Sequence, residues 1–191
     1  MTLLQVMADS DAADVRLRTD DAGAIGAELA NRGIVFDRWP TMRGLHAATP
    51  DSQILAEYGD RLAELNVDGR YKYIDVARLQ PDDSDPGWPQ TAKAARHKFL
   101  SEHRHAEDEV RFFVAGLGCF YLHLEPEVVA VVCEGGDLLS VPAGTRHWFD
   151  MGVRPDFVAI RFFEEQDGWI GDFTGDPIGE RYPTLDQLVA A

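Results

Sequence analysis

EHRHAEDEVRFFVAGLGCFYLHLEPEVVAVVCEGGDLLSVPAGTRHWFDM (residues 102–151) passes from a polar, histidine-bearing opening into a series of short apolar runs. VRFFV, CFYLHL, VVAVVC, LLSV and HWFDM, with FVAIRFF further on, are separated by AGLG, EPE, EGGD, PAGTR and GVRPD. β-Branched and aromatic runs between joints rich in glycine, proline and acidic residues predict a meander of short strands. Strands packed this densely in sequence close into a sandwich or barrel, which shelters their edges. Cys119 and Cys133 fall inside these runs, and no CxxC motif is present. They read as reduced, buried thiols acting as small hydrophobes, not as ligands or nucleophiles.

Upstream of this region the pattern is mixed. LLQVM predicts a strand, and DAGAIGAELANRG a helix with Asp20 or Asp21 as cap and Gly33 as stop. IVFDRW is strand-like. TPDSQILAEYGDRLAELN predicts one helix, with Thr49 as cap, Pro50 in the first turn and Ile54, Leu55, Tyr58, Leu62 and Leu65 on one apolar face. YKYIDVARL predicts a further strand. Residues 81–90, rich in proline and aspartate, read as a loop, and TAKAARHKFL as a short helix leading back to the opening stretch. The expected organisation is a single domain over residues 1–191. An N-terminal helix and strand lobe (1–80) is joined by the loop (81–90) to a barrel core (91–175), and a tail (176–191) is mostly loop with a last helix capped by Thr184.

The bulk composition excludes several function classes. Eighteen Lys and Arg against 33 Asp and Glu give a formal charge of −15, which repels phosphate backbones and anionic lipid. Nucleic acid is therefore not an expected partner. No apolar run approaches the roughly 18–20 residues of a membrane span. MTLLQVMADSD lacks the basic start of a signal peptide, so a cytoplasmic protein with reduced cysteines is expected.

The opening of the quoted stretch carries the chemistry. On a strand His103 and His105 point the same way, about 6–7 Å apart along the backbone, so both rings can converge on one ion. Glu109 shares their parity but would lie about 13 Å beyond His105 on a straight strand. The chain must fold back through AED for Glu109 to join them, which places Glu107 in the turn as a surface residue. Glu109 then opens the next strand and faces inward with Arg111 and Phe113. His147, after the turn Pro142-x-Gly144, offers a fourth ligand, and Phe149 shares its face. Three imidazoles and one carboxylate leave two open positions on an octahedral ion, where a substrate can chelate. Arg111 is either a solvent-reaching strand arginine or a cleft cation, and its parity with Glu109 favours the cleft. His123 reads as a packed core histidine, and His46 and His97 as surface or capping residues.

The spacing resembles the two cupin motifs, G-x5-H-x-H-x3,4-E-x6-G and G-x5-P-x-G-x2-H-x3-N. Here they read His103-x-His105-x3-Glu109-x6-Gly116 and Gly136-x5-Pro142-x-Gly144-x2-His147. The leading glycine of the first motif is absent, and Met151 replaces the trailing asparagine of the second. Neither departure removes a ligand. EHRHAEDEVRFFV, HWFDMG, FVAIRFF and DGWIGDFTGD together resemble the bacterial acireductone dioxygenases of methionine salvage, most strongly over residues 97–175.

The resemblance implies a mainly β cupin-type (jelly-roll) barrel with small N-terminal helices packed outside. It implies His103, His105, Glu109 and His147 as metal ligands and Arg111 as the catalytic, substrate-binding arginine. Phe99, Phe149 and Trp169 are implied as pocket aromatics, although from the residues alone each is equally a packing residue. The family's His-Thr-His is His103-Arg104-His105 here, with Arg104 expected to point away from the ion. The implied cofactor is one divalent ion, Fe(2+) or Ni(2+), and the implied reaction is oxidation of an acireductone by O2. With iron the family gives formate and 4-methylthio-2-oxobutanoate; with nickel it gives CO, formate and 3-methylthiopropanoate. A base is expected near the metal, Glu102 or another polar group. The bacterial resemblance implies a monomer. The competing readings are a cupin isomerase acting on a sugar phosphate, which needs several basic cleft residues, and a non-catalytic metal cupin that senses a small molecule.

Overall fold

The computed structural model describes residues 1–46 and 48–191. Its elements run β1 (Leu3–Ala8), β2 (Val15–Thr19), α1 (Ala22–Ala30), β3 (Val35–Arg38), α2 (Asp51–Glu57), α3 (Gly59–Leu65), β4 (Tyr73–Leu79) and α4 (Trp88–Phe99). They continue with β5 (His103–Arg104), β6 (Glu109–Leu124), β7 (Glu127–Glu134), β8 (Asp137–Val141), β9 (Arg146–Asp150), β10 (Phe157–Phe163), β11 (Asp172–Phe173) and α5 (Leu185–Ala190).

β6 organises the rest. VRFFV and CFYLHL, expected as two strands with AGLG as their turn, form one strand of 16 residues. The glycines mark a close approach instead of a reversal. Gly116 has φ +77°, and a Cβ there would lie 1.9 Å from the Asp156 carbonyl oxygen. On one side of this point β6 pairs with β8 and β10; on the other it pairs with β7 and β9. One set of strands is therefore ordered β4-β10-β6-β8-β3, the other β11-β5-β9-β6-β7-β1-β2. Between them lies an apolar interior that includes Val6, Phe113, Phe120, Leu122, Val131 and Leu139. α1 starts where expected, with Asp21 accepting from the Ala24 N–H at 2.7 Å, and adds Ile25 and Leu29 to this interior.

Four local expectations differ from the structure. The helix expected over 49–66 is broken into α2 and α3 at Tyr58, which adopts φ −97° and ψ 9°. Gly59 weakens the helix there. Tertiary contacts then decide: the Tyr58 ring packs edge-on to Phe112 at 4.7 Å, and its hydroxyl accepts from the Met42 N–H. Thr49 is not the side-chain cap; Pro50 holds that position, and the Thr49 hydroxyl accepts from the His46 N–H at 3.0 Å. α4 begins at Trp88, inside the stretch expected as loop, because Gly87 caps it and Pro89 suits its first turn. The tail is more ordered than expected. A 3-10 turn (Pro177–Arg181) and α5, with a complete capping box at Thr184, carry Ile178, Tyr182, Leu185 and Leu188 onto the outer face formed by Cys119, Tyr121 and Trp148. Among the described residues no helix is long and apolar enough to cross a membrane.

Asp150 holds the tail and α4 to β9. It is buried, accepts from Arg96 Nε at 2.7 Å and Nη2 at 3.0 Å, and accepts from the backbone N–H groups of Gly152 and Leu185, each at 2.9 Å. Burial alone would raise its pKa, but Arg96 and the two backbone donors outweigh it and hold the carboxyl below the ordinary range. A depressed native pKa stabilises the fold above the unfolded value, about 3.9, and that stability is lost as pH falls through the native pKa. Asp150→Asn is expected to cost about 3 kcal/mol near neutral pH, as when one partner of a buried pair is removed. Urea midpoints taken from neutral pH downward should fall less steeply for the variant than for the wild type; parallel curves would refute the assignment.

Candidate metal centre

The site forms where β5, β6 and β9 converge. His103 on β5 lies directly opposite His147 on β9, so both rings face the same side. His105 follows the end of β5, and the chain turns back through residues 106–108, as the parity reading requires, so that Glu109 opens β6. Asp108 fixes that turn by accepting from the Ala143 N–H at 2.9 Å, while the Gly144 N–H donates to the His105 carbonyl. Gly144 has φ +76°, which explains glycine in the turn before His147. Two turns distant in sequence are thus tied together beneath the histidines.

One ligand atom each from His103, His105, Glu109 and His147 lies within 4.8 Å of all the others. Donors about 2.1 Å from a common octahedral ion stand about 3.0 Å apart when adjacent and about 4.2 Å apart when opposite. The cluster is therefore only slightly wider than an occupied site. Each imidazole is also locked in one tautomer. The Nδ1–H groups of His103, His105 and His147 donate to the carbonyls of Ser101, Ile170 and Thr145 at 2.8, 3.0 and 2.8 Å. That leaves every Nε2 lone pair free for a metal, the second-sphere arrangement of histidine ligands. His147 Nε2 and Glu109 Oε2 approach to 2.5 Å, yet both are buried atoms without a hydrogen bond of acceptable geometry. A buried, unsatisfied lone pair facing a buried, unsatisfied carboxylate oxygen is costly unless both atoms bind a shared cation.

The charges of His103 and Glu109 agree with this reading. Burial, with His147 beside it, pushes the His103 pKa down to about 4, so the ring is neutral near pH 7. Burial opposes ionisation of Glu109, but Arg111 and His147 overcome it and hold the carboxyl well below the ordinary range. Arg111 Nη2 pairs with Glu109 Oε1 at 2.8 Å, and its guanidinium stacks 5.0 Å from the Phe163 ring centre. Arg111 is thus a cleft residue, as parity suggests, and it is already paired with Glu109.

The cluster opens onto a cavity of about 240 Å³ lined by Phe99, Arg111, Phe149 and Trp169, all four of the substrate-binding candidates. Trp169 is 45% exposed at the rim, where Lys98 Nζ lies 4.9 Å from its ring centre. Arg104 points away, as expected, and pairs with Asp172 at 2.9 Å.

Two carboxylates behave differently from expectation. Glu107 is not surface: its Oε2 accepts from the backbone N–H groups of Glu164 and Glu165 at 2.6 and 3.2 Å, tying the turn to the segment that carries Trp169. Glu102 is not among the residues that line the cleft. It is buried, with His123 Nδ1 2.6 Å from its Oε1 and the Thr174 hydroxyl donating to its Oε2 at 2.7 Å. His123 is buried outside the cluster, as read from sequence. Sequence reasoning missed further cleft residues, Arg78 among them, and the one nearest Arg111 in the sheet register is Arg161. It lines the cleft directly opposite Arg111 across the β6–β10 pair, and Asp75 holds it by two bonds of 2.8 and 2.7 Å. Knowing that β10 pairs with β6 would have revealed it, because directly opposed residues share a face.

Comparison with known proteins identifies this arrangement. The model of the ARD/ARD' family matches residues 6–171. The chain is 70% identical over 191 residues to acireductone dioxygenase 2 of Nocardia farcinica, covering 100% of both chains. It is 49% identical over 191 residues to an acireductone dioxygenase of Saccharopolyspora erythraea, again covering 100% of both. Its fold is similar to the solved structure of acireductone dioxygenase from Bacillus anthracis with a cadmium ion in its active centre. The TM-score is 0.74 at 26% identity, covering 91% of this chain and 98% of that one. The mainly β cupin architecture with outlying helices therefore holds, and the chain belongs to the ARD/ARD' family of acireductone dioxygenases.

Proposed function

We propose that this chain, acting as a monomeric cytoplasmic enzyme of methionine salvage, cleaves 1,2-dihydroxy-3-keto-5-methylthiopentene with O2. Its metal ligands in this reading are His103, His105, Glu109 and His147. The carrying observation is the set of three tautomer-locked imidazoles and one carboxylate with facing, unsatisfied atoms. The donor set fits Fe(2+) or Ni(2+), since imidazole and carboxylate suit both. When bound, such an ion supplies a Lewis acid with two open positions for the enediol oxygens. Arg111 keeps donors free beyond those used on Glu109 and the Val110 carbonyl, and these stabilise negative charge on the enediolate. Phe149 and Phe99 exclude water and hold the methylthio tail, and Trp169 covers the rim. The iron form then yields formate and 4-methylthio-2-oxobutanoate, and the nickel form CO, formate and 3-methylthiopropanoate.

A sugar-phosphate isomerase would need surplus positive charge in the cleft. Three arginines line it, more than the sequence suggested, but Arg111, Arg161 and Arg78 pair with Glu109, Asp75 and Asp51. A phosphate dianion would have to compete with carboxylates already in place. Oxygen uptake decides the matter. Acireductone generated anaerobically and mixed with oxygenated protein should disappear with stoichiometric O2 consumption. Product analysis paired with metal analysis of protein purified from its native source should show one of the two product sets. No uptake above the metal-free control would refute the proposal.

A further inference from the structure

The apolar end of the cleft is built from rings, and one of them occupies the space of a side chain that is missing. Phe149 packs with Phe120, Phe157 and Phe113 at centroid distances of 4.8, 5.8 and 6.4 Å. Its remaining side faces the cavity. A Cβ added at Gly118 would lie 2.3 Å from Phe149 Cζ, 2.5 Å from its Cε2 and 3.0 Å from Phe113 Cε1. Carbon atoms in contact prefer about 3.5–4.0 Å. Any side chain at 118 therefore displaces the tip of the Phe149 ring by about 1 Å or more, and the three neighbouring rings leave the cleft as the direction of escape. Backbone conformation does not demand glycine here, since Gly118, unlike Gly116, is not among the residues with positive φ. The requirement is steric, and it is set by a ring that lines the site.

We propose that Gly118 is a specificity-determining position, whose missing side chain seats Phe149 against β6 and so sets how long an apolar tail the cleft accepts. Gly118 acts through Phe149 and is a positioning residue. The inference rests on the functional reading above for the identity of the natural tail, a thioether chain. Its test does not require that reading to hold.

The probe is a series of straight-chain hydroxamic acids, from acetohydroxamic to octanohydroxamic acid, titrated calorimetrically into nickel-loaded protein. The hydroxamate chelates through two oxygens, and the alkyl chain measures the depth of the cleft. In the wild type each added methylene should tighten binding about fourfold until the cleft is full. In Gly118→Ala the gain should stop one or two methylenes earlier, leaving the longest members about fourfold to sixteenfold weaker with acetohydroxamic acid little changed. Phe149→Leu, which enlarges the same end without altering Gly118, should move the limit the other way. Gly118→Ala combined with Phe149→Leu should regain the lost length. Equal profiles for wild type and Gly118→Ala, a uniform weakening across the series, or no chain-length dependence in the wild type overturns the proposal. Acireductone turnover by the same wild-type protein judges the functional reading separately. A normal hydroxamate profile without turnover refutes that reading and leaves the role of Gly118 standing.

Discussion

Replacing His147 with alanine is expected to leave a folded protein that retains no stoichiometric metal after dialysis and consumes acireductone at the background rate. His147 is the member of the cluster farthest in sequence from the others, and its Nε2 faces Glu109 Oε2 at 2.5 Å without a hydrogen bond of its own. Losing a residue that merely orients a ligand costs about 10–100-fold in metal affinity or activity. Losing the ligand should cost more than about 100-fold. The metal-free fold should suffer less. The ring leaves a small cavity beside Phe120 and His103, but its Nε2 bonds nothing in the protein, so the expected cost is at most about 2 kcal/mol. Elemental analysis after dialysis, oxygen-electrode rates and a urea midpoint measured on metal-free samples separate the two effects. Full activity with metal retained would remove His147 from the ligand set.

That the four residues come together was legible because it rests on two local regularities. Side-chain alternation puts His103 and His105 on one face, and the distance to Glu109 demands the turn at 106–108 that the structure contains. The Pro142-x-Gly144 turn placed His147 at the start of a strand, where β9 begins at Arg146. The helix caps at Asp21 and Thr184 were legible for the same reason, since a cap is a contact between residues three apart.

What could not be read depends on contacts between distant residues. AGLG looks like a turn by composition, but Asp156 and Phe149 come from elsewhere to occupy the spaces its glycines leave, so the strand continues. Glu107 looks like a turn carboxylate until residues 164–165 bring their N–H groups to it. Arg161 sits in a run read as an apolar strand, and only pairing with β6 aims it into the cleft. Composition likewise could not reveal that Tyr58 would break a helix in favour of packing on Phe112. In each case a partner far along the chain reverses a local preference.

Arg111→Ala separates substrate handling from metal binding. The variant is expected to keep its metal while kcat/KM for acireductone falls about 100- to 1,000-fold, the usual cost of removing a donor aimed at developing negative charge. Arg111 pairs with Glu109 Oε1 at 2.8 Å and stacks on Phe163, and burial lowers its pKa against the pull of Glu109. A guanidinium this close to a metal carboxylate repels a divalent cation. Removing it leaves Glu109 with more negative charge to offer, so metal affinity should hold or rise. The enediolate, by contrast, loses a fork of charge-assisted donors inside a cleft where water cannot replace them. Lysine should recover only part of the loss, because a point charge cannot reproduce the bidentate geometry. Arg161, already held by Asp75, is not free to substitute. If elemental analysis instead shows that Arg111→Ala loses its metal, the arginine's task is to hold Glu109 in place, and the charge of the enediolate must be met by another group in the cleft.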